Sequence, residues 1–220
     1  DDPEIRKKAR AASKKMESVP DIIKLHNRLL VADWLKELEL KPISPKRNLK
    51  IGLPRVLEFW NSLPFWKTLF TTLGFDVVVS KKSDAAIFEQ GLASVPSDTA
   101  CLPAKIVHGH VKDLQDKGVD RIFMPMMISQ PTENRTIKGR SFCALIQGYP
   151  MVVDRSDEPM RRHSIAFDYP VFHWDTPALK QKQVVNWLID NWGISRSTAR
   201  AAFQQAEKAD QSFNSRIREE

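Results

Sequence analysis

The chain has 220 residues and a formal charge of +7, enough length to bury a hydrophobic core without a disulfide framework. Its two cysteines, Cys101 and Cys143, suit a reducing compartment, so a cytoplasmic location is expected. No apolar run approaches the ~18 to 20 residues that span a bilayer, and no secretory signal pattern opens the chain, so no membrane association is expected.

The positive charge is concentrated at one end. Residues 1–50 carry 13 lysines and arginines against 8 aspartates and glutamates, the composition of a solvated basic arm on a near-neutral body rather than of a nucleic-acid surface. The opening Asp1-Asp2-Pro3 has no Met, and the chain is expected to be one module of a longer polypeptide.

In chain order, Ile5, Ala9, Ala12 and Met16 form a narrow apolar stripe at helical spacing. After Pro20, Asp21 can cap a second helix running toward Leu40, with Ile22, Leu25, Leu29 and Ala32 inward. Pro42 and Pro45 mark a linker. A strand over 49–53 precedes a helix through Phe65, Trp66, Leu69, Phe70 and Leu73 that stops at Gly74. The β-branched run 76–80 reads as a strand buried on both faces. Ser83 is the expected cap of a helix ended by Gly91.

Pro103 opens a further helix over 104–117, closed by Gly118, and 121–126 is a third strand. Strands alternating with helices at this spacing imply a parallel sheet. The segment 142–153 is apolar but holds Gly148 and Pro150, which leaves helix and strand both open; 165–174 reads as a strand, and helices follow Pro177 to the end. The fold class is therefore α/β, a Rossmann-like, mostly parallel sheet flanked by helices with helical N- and C-terminal extensions. The expected organisation is a helical extension and linker over 1–47, an α/β core over 48–175 and C-terminal helices over 176–220.

Several activities lack their motifs. Phosphate cradles need glycine-rich turns, and neither GxxxxGK[ST] nor GxGxxG occurs among only eight glycines, so ATP and NAD binding by this chain are not expected. There is no GxSxG nucleophile elbow. His108 and His110 lie two apart, which on a helix points them to nearly opposite sides and prevents chelation of one ion. A hairpin around Gly193, with Ser195, Arg196, Ser197 and Arg200 leading its second helix, has the outline of a helix-turn-helix and offers an alternative function as a DNA-binding or protein-interaction module; a plain hairpin with glycine and serine caps is the favoured explanation and needs no DNA.

The cysteines have two readings. A free thiol is commonly a small packed hydrophobe. Cys101, however, sits just before a proline-initiated helix, where the positive end of the helix favours a thiolate able to ligate iron.

Residues 49–58 (LKIGLPRVLE), 63–74 (LPFWKTLFTTLG), 95–110 (VPSDTACLPAKIVHGH) and 121–125 (RIFMP) resemble the domain that follows the ATP-binding activase modules in activators of 2-hydroxyacyl-CoA dehydratases, the CoA-substrate-specific enzyme activases. The resemblance runs over roughly 48–220 and is most specific around Cys101. It implies a fold related to the iron–sulfur subunits of those dehydratases, in which three cysteines commonly hold a 4Fe–4S cubane. It also implies a role in docking, low-potential electron relay or both, within an ATP-dependent activating system and without catalysis by the isolated domain. The implied partners are the ATP-binding modules of the same polypeptide and a 2-hydroxyacyl-CoA dehydratase. Residue by residue, Cys101 matches the first cysteine and Cys143, in SFCA at 141–144, the third; the second position holds Met126. A thioether is a poor substitute for a thiolate, which leaves ligands from another region or subunit, or loss of the cluster.

Overall fold

A computed structural model describes residues 4–5, 21–130 and 140–219. The apolar stripe from Ile5 to Met16 and the polar loop after Gln130 fall almost wholly outside them.

Helix α1 (Ile22–Leu30) starts where the Asp21 carboxylate accepts the Lys24 N–H at 2.9 Å. It does not run to Leu40. Asp33 caps the Lys36 N–H and begins a separate short helix, α2 (Trp34–Glu37), because a second capping side chain restarts the backbone.

Strand β1 (Lys50–Leu53) leads into α3 (Phe59–Thr72), β2 (Asp76–Val79) and α4 (Ala85–Gly91). Helix α5 (Leu102–Asp116) and β3 (Arg121–Phe123) follow. Next come β4 (Met126–Ser129), α6 (Ala144–Ser156), α7 (Pro159–His163), β5 (Ala166–Asp168), β6 (Val171–His173), α8 (Pro177–Trp192) and α9 (Arg196–Arg218). The main sheet is parallel throughout, in the order β2-β1-β3-β5, and β4 pairs with β6 in a second parallel pair. This is the α/β architecture expected from the alternating pattern.

Four local expectations change. Strand β2 is not buried on both faces: it pairs only with β1 at the sheet edge, and its valines are half-buried. Asp84 rather than Ser83 caps α4, accepting the Ile87 N–H at 2.9 Å. The strand read over 121–126 breaks after Phe123, and the one read over 165–174 breaks after Asp168. Both breaks have one cause. Pro125 and Pro170 bring no N–H to the ladder, so two short pairs replace one long one, and Met126 belongs to the second pair, its N–H bonding the Pro170 carbonyl at 2.9 Å.

Helix α3 is buried almost all round, with Phe59, Phe65, Trp66, Leu69 and Phe70 inaccessible to solvent. Trp66 lies 4.6 Å from Phe123 and 5.4 Å from Trp174, centroid to centroid. Along its far side runs α9, whose Ala199, Ala202, Ala206 and Ala209 are fully buried, since small side chains let two helices approach closely. On the other face of the sheet, a Cβ added to Gly52 would meet Leu114 of α5 at 3.1 Å. Gly74 closes α3 at φ +84°, where a side chain would strike the Pro45 carbonyl.

Candidate functional site

Helix α5 delivers the chain to the amino end of β3, so its own first residue lies at the carboxyl end of the sheet. Helix α6 likewise starts beyond β4 and returns toward the start of β5. Both N-cap residues are cysteines: Cys101 on α5 and Cys143 on α6. Met126 opens β4 just past the carboxyl end of β3, and α6 packs against both β4 and α5. Topology thus gathers all three positions singled out in the sequence at the end where open α/β sheets place their ligands.

Both thiols are exposed, so neither is the packed hydrophobe that a free cysteine commonly is. Neither side chain caps its helix, in contrast to Asp21, Asp84, Thr176 and Ser195, which each accept an N–H of the first turn. Leu102 beside Cys101 is 62% exposed and Met151 on α6 is 51% exposed, and Met151 lines a shallow groove of about 450 Å³ with Pro96, Val152 and Arg155.

The two helices that start at Cys101 and Cys143 are tied together from below. His108 on α5 is fully buried, its Nδ1 2.5 Å from Asp157 Oδ2 at the end of α6 and its Nε2 3.0 Å from the Tyr149 hydroxyl. With the Asp157 carboxylate as acceptor, Nδ1–H donates to it and Nε2 accepts the Tyr149 O–H. Burial, the Asp157 charge and Cys101 push the Tyr149 phenol up to about 12, so it remains a donor. His108 lies seven residues into α5 from Cys101 and Tyr149 six into α6 from Cys143, roughly 10 Å and 9 Å along the axes at 1.5 Å per residue. A cross-link at matched depth holds the two helix starts at similar height.

His110 does separate work, as opposed positions on a helix require. Its Nδ1 is 2.7 Å from Ser80 Oγ and its Nε2 2.9 Å from Ser83 Oγ. Ser80 Oγ also accepts the Arg55 N–H, so each ring nitrogen of His110 has a serine hydroxyl as its partner. Burial lowers this histidine to about 4. Neighbouring Asp113 receives Lys117 Nζ and the Lys81 N–H; burial alone would raise its carboxyl, but these donors hold it below the usual range. Gly109 explains the motif's middle: a Cβ there would lie 1.7 Å from the Ile87 carbonyl oxygen. The His-Gly-His triplet is therefore a helix-crossing device flanked by two structural histidines.

Tyr149 and Asp157 were not singled out from sequence, since 41 and 49 residues separate them from His108. The Gly193 hairpin has glycine at φ +61° and the Ser195 hydroxyl accepting the Thr198 N–H at 3.2 Å. Its second helix spends its apolar face on α3.

The donors at the cysteine end are two thiols and a thioether, short of the thiolate set that holds a cubane. Among the described residues, no three His, Cys, Asp or Glu side chains converge as a metal site. None of the described helices is long and apolar enough to cross a membrane.

Fold and site together define a parallel, helix-flanked α/β domain with an exposed thiol pair at the carboxyl end of its sheet. Over residues 50–220 the chain matches the family described as the CoA enzyme activase uncharacterised domain, and it belongs to that family. No curated protein and no solved structure matches it.

Proposed function

We propose that this chain is a cytoplasmic, non-ATPase module of a 2-hydroxyacyl-CoA dehydratase activator, and that the end bearing Cys101 and Cys143 is a docking surface rather than a cluster cradle. The observation that carries the reading is the exposure of both thiols, with Leu102 exposed beside Cys101 and Met151 exposed farther along α6. Large exposed apolar side chains are enriched at contact surfaces. The donor set supports the same reading, because two thiols and Met126 leave a cubane short of ligands. The implied partners are the ATP-binding modules of the parent polypeptide and the dehydratase itself. Membership of an activase family supports the system in general.

The test is association of the chain with a 2-hydroxyacyl-CoA dehydratase. Leu102→Asp and Met151→Asp place charge on exposed positions and leave the core untouched. Each is expected to weaken binding about tenfold, the effect of removing a contact worth roughly 1.4 kcal/mol. Unchanged binding in both variants would remove the docking reading for this face.

A further inference from the structure

A second cavity lies between the start of α3 and helices α8 and α9, and reaches the cysteine end at Met127 of β4 and at Phe142, just before Cys143. Its volume is about 560 Å³, within the roughly 300 to 1,000 Å³ typical of small-molecule sites. Glu58 is its most unusual wall residue. The side chain is 5% exposed; one carboxyl oxygen accepts the Ser62 hydroxyl, while Oε1 is buried with no partner among the described residues.

The one lysine among the described wall residues does not serve Glu58. Lys180 Nζ sits 3.0 Å from Glu207 and 3.2 Å from Asp210, over the rings of Phe65 at 4.1 Å and Trp174 at 4.3 Å. Two carboxylates and two aromatic faces account for that ammonium group. Three carboxyl groups thus meet one lysine around the cavity, with Arg218 also on its lining.

We propose that this cavity binds a small organic cation bearing N–H donors, with Glu58 Oε1 as the accepting atom. A buried polar atom without a hydrogen-bond partner is costly, and an ammonium or amidinium N–H is the partner that the ionised carboxylate of Glu58 would take. A bare divalent metal ion fits less well, because it takes six to eight oxygens in the case of calcium and only one carboxyl group among the described wall residues is uncommitted. Burial, together with the charge of Asp210, raises Glu58 to about 8. The group is therefore protonated at neutral pH; when an ammonium ligand enters, the Glu58 O–H bond breaks, its proton leaves to solvent, and the carboxylate accepts the ligand N–H. Asn61, Gln211 and Asn214 on the same lining offer amide groups for the rest of the molecule.

The experiment is calorimetric titration of the 220-residue chain with cadaverine, with glutarate as an anion of similar length and calcium as the metal alternative. Saturable cadaverine binding is expected, without glutarate or calcium binding. Glu58→Gln should weaken cadaverine binding by about tenfold or more, the loss of a charge-assisted hydrogen bond. Gln211 is exposed on α9, so Gln211→Trp fills the cavity mouth without disturbing the core and should abolish binding; it carries the test if Glu58→Gln does not fold. Absence of cadaverine binding, preference for glutarate or calcium, or binding unaffected by both substitutions would overturn the proposal.

Discussion

His108 and Asp157 stand 2.5 Å apart, Nδ1 to Oδ2, with both side chains buried and on different helices. This pair, extended by Tyr149, locks α5 to α6 beneath the two thiols. His108→Phe keeps an aromatic ring but leaves the Asp157 carboxylate and the Tyr149 hydroxyl without their partner. The expected loss is about 3 kcal/mol of folding stability, the scale for breaking one side of a buried pair, measured by urea unfolding. A loss within about 0.5 kcal/mol, the level of an ordinary surface substitution, would show that the pair does not hold the helices together.

Gly109 and Gly91 let α4 and α5 touch through their backbones, the Cβ direction of Gly91 ending 2.2 Å from Gly109 N. Gly109→Ala must force the helices apart, since backbone atoms, unlike a flexible side chain, cannot move aside. A destabilisation of about 3 kcal/mol is expected from such overpacking, read as a shift in the urea midpoint with an unchanged slope.

Two buried groups give stability opposite dependences on pH. His110 titrates near 4 when folded against an ordinary 6.5, so the unfolded chain takes up the proton first. Its contribution is present above pH 6.5 and is lost as pH falls toward 4. Glu58 is raised from 4.5 to about 8. Its contribution is therefore present below pH 4.5 and lost as pH rises toward 8. His110→Gln is expected to blunt the acid loss and Glu58→Gln the alkaline one, in thermal unfolding followed across this range. A profile identical to wild type in either variant would contradict the corresponding burial.

Much of this fold is legible from residues. Gly74, Gly118 and Gly193 each stop a helix with positive φ as their positions suggest, and the alternation of apolar runs gives the parallel sheet. What escapes is what depends on partners distant in sequence. Nothing near Val77 says that β2 lies at the edge, because edge position is fixed by which strands pair with β1. Pro125 and Pro170 are visible in the sequence, but their joint effect appears only when β4 and β6 are seen side by side. At the site, Cys101 is recognisable from its place before Pro103, whereas Tyr149 and Asp157 carry no local signature. Glu58 looks like an ordinary helix-start acid until α9 covers it.

The thiols themselves give an accessible check. Both are exposed, so folded protein is expected to react with two equivalents of a thiol reagent without denaturant, Cys101→Ser and Cys143→Ser with one each. A thiol that reacts only after unfolding would contradict its placement.

The most direct test of the central claim, that the cysteine end is a contact surface and not a cluster cradle, is iron retained per chain after anaerobic reconstitution with iron and sulfide. Wild type and Cys101→Ser are expected to retain equal, negligible iron after desalting. A full cubane complement in wild type, lost in Cys101→Ser and Cys143→Ser, would contradict the claim and return the site to electron relay.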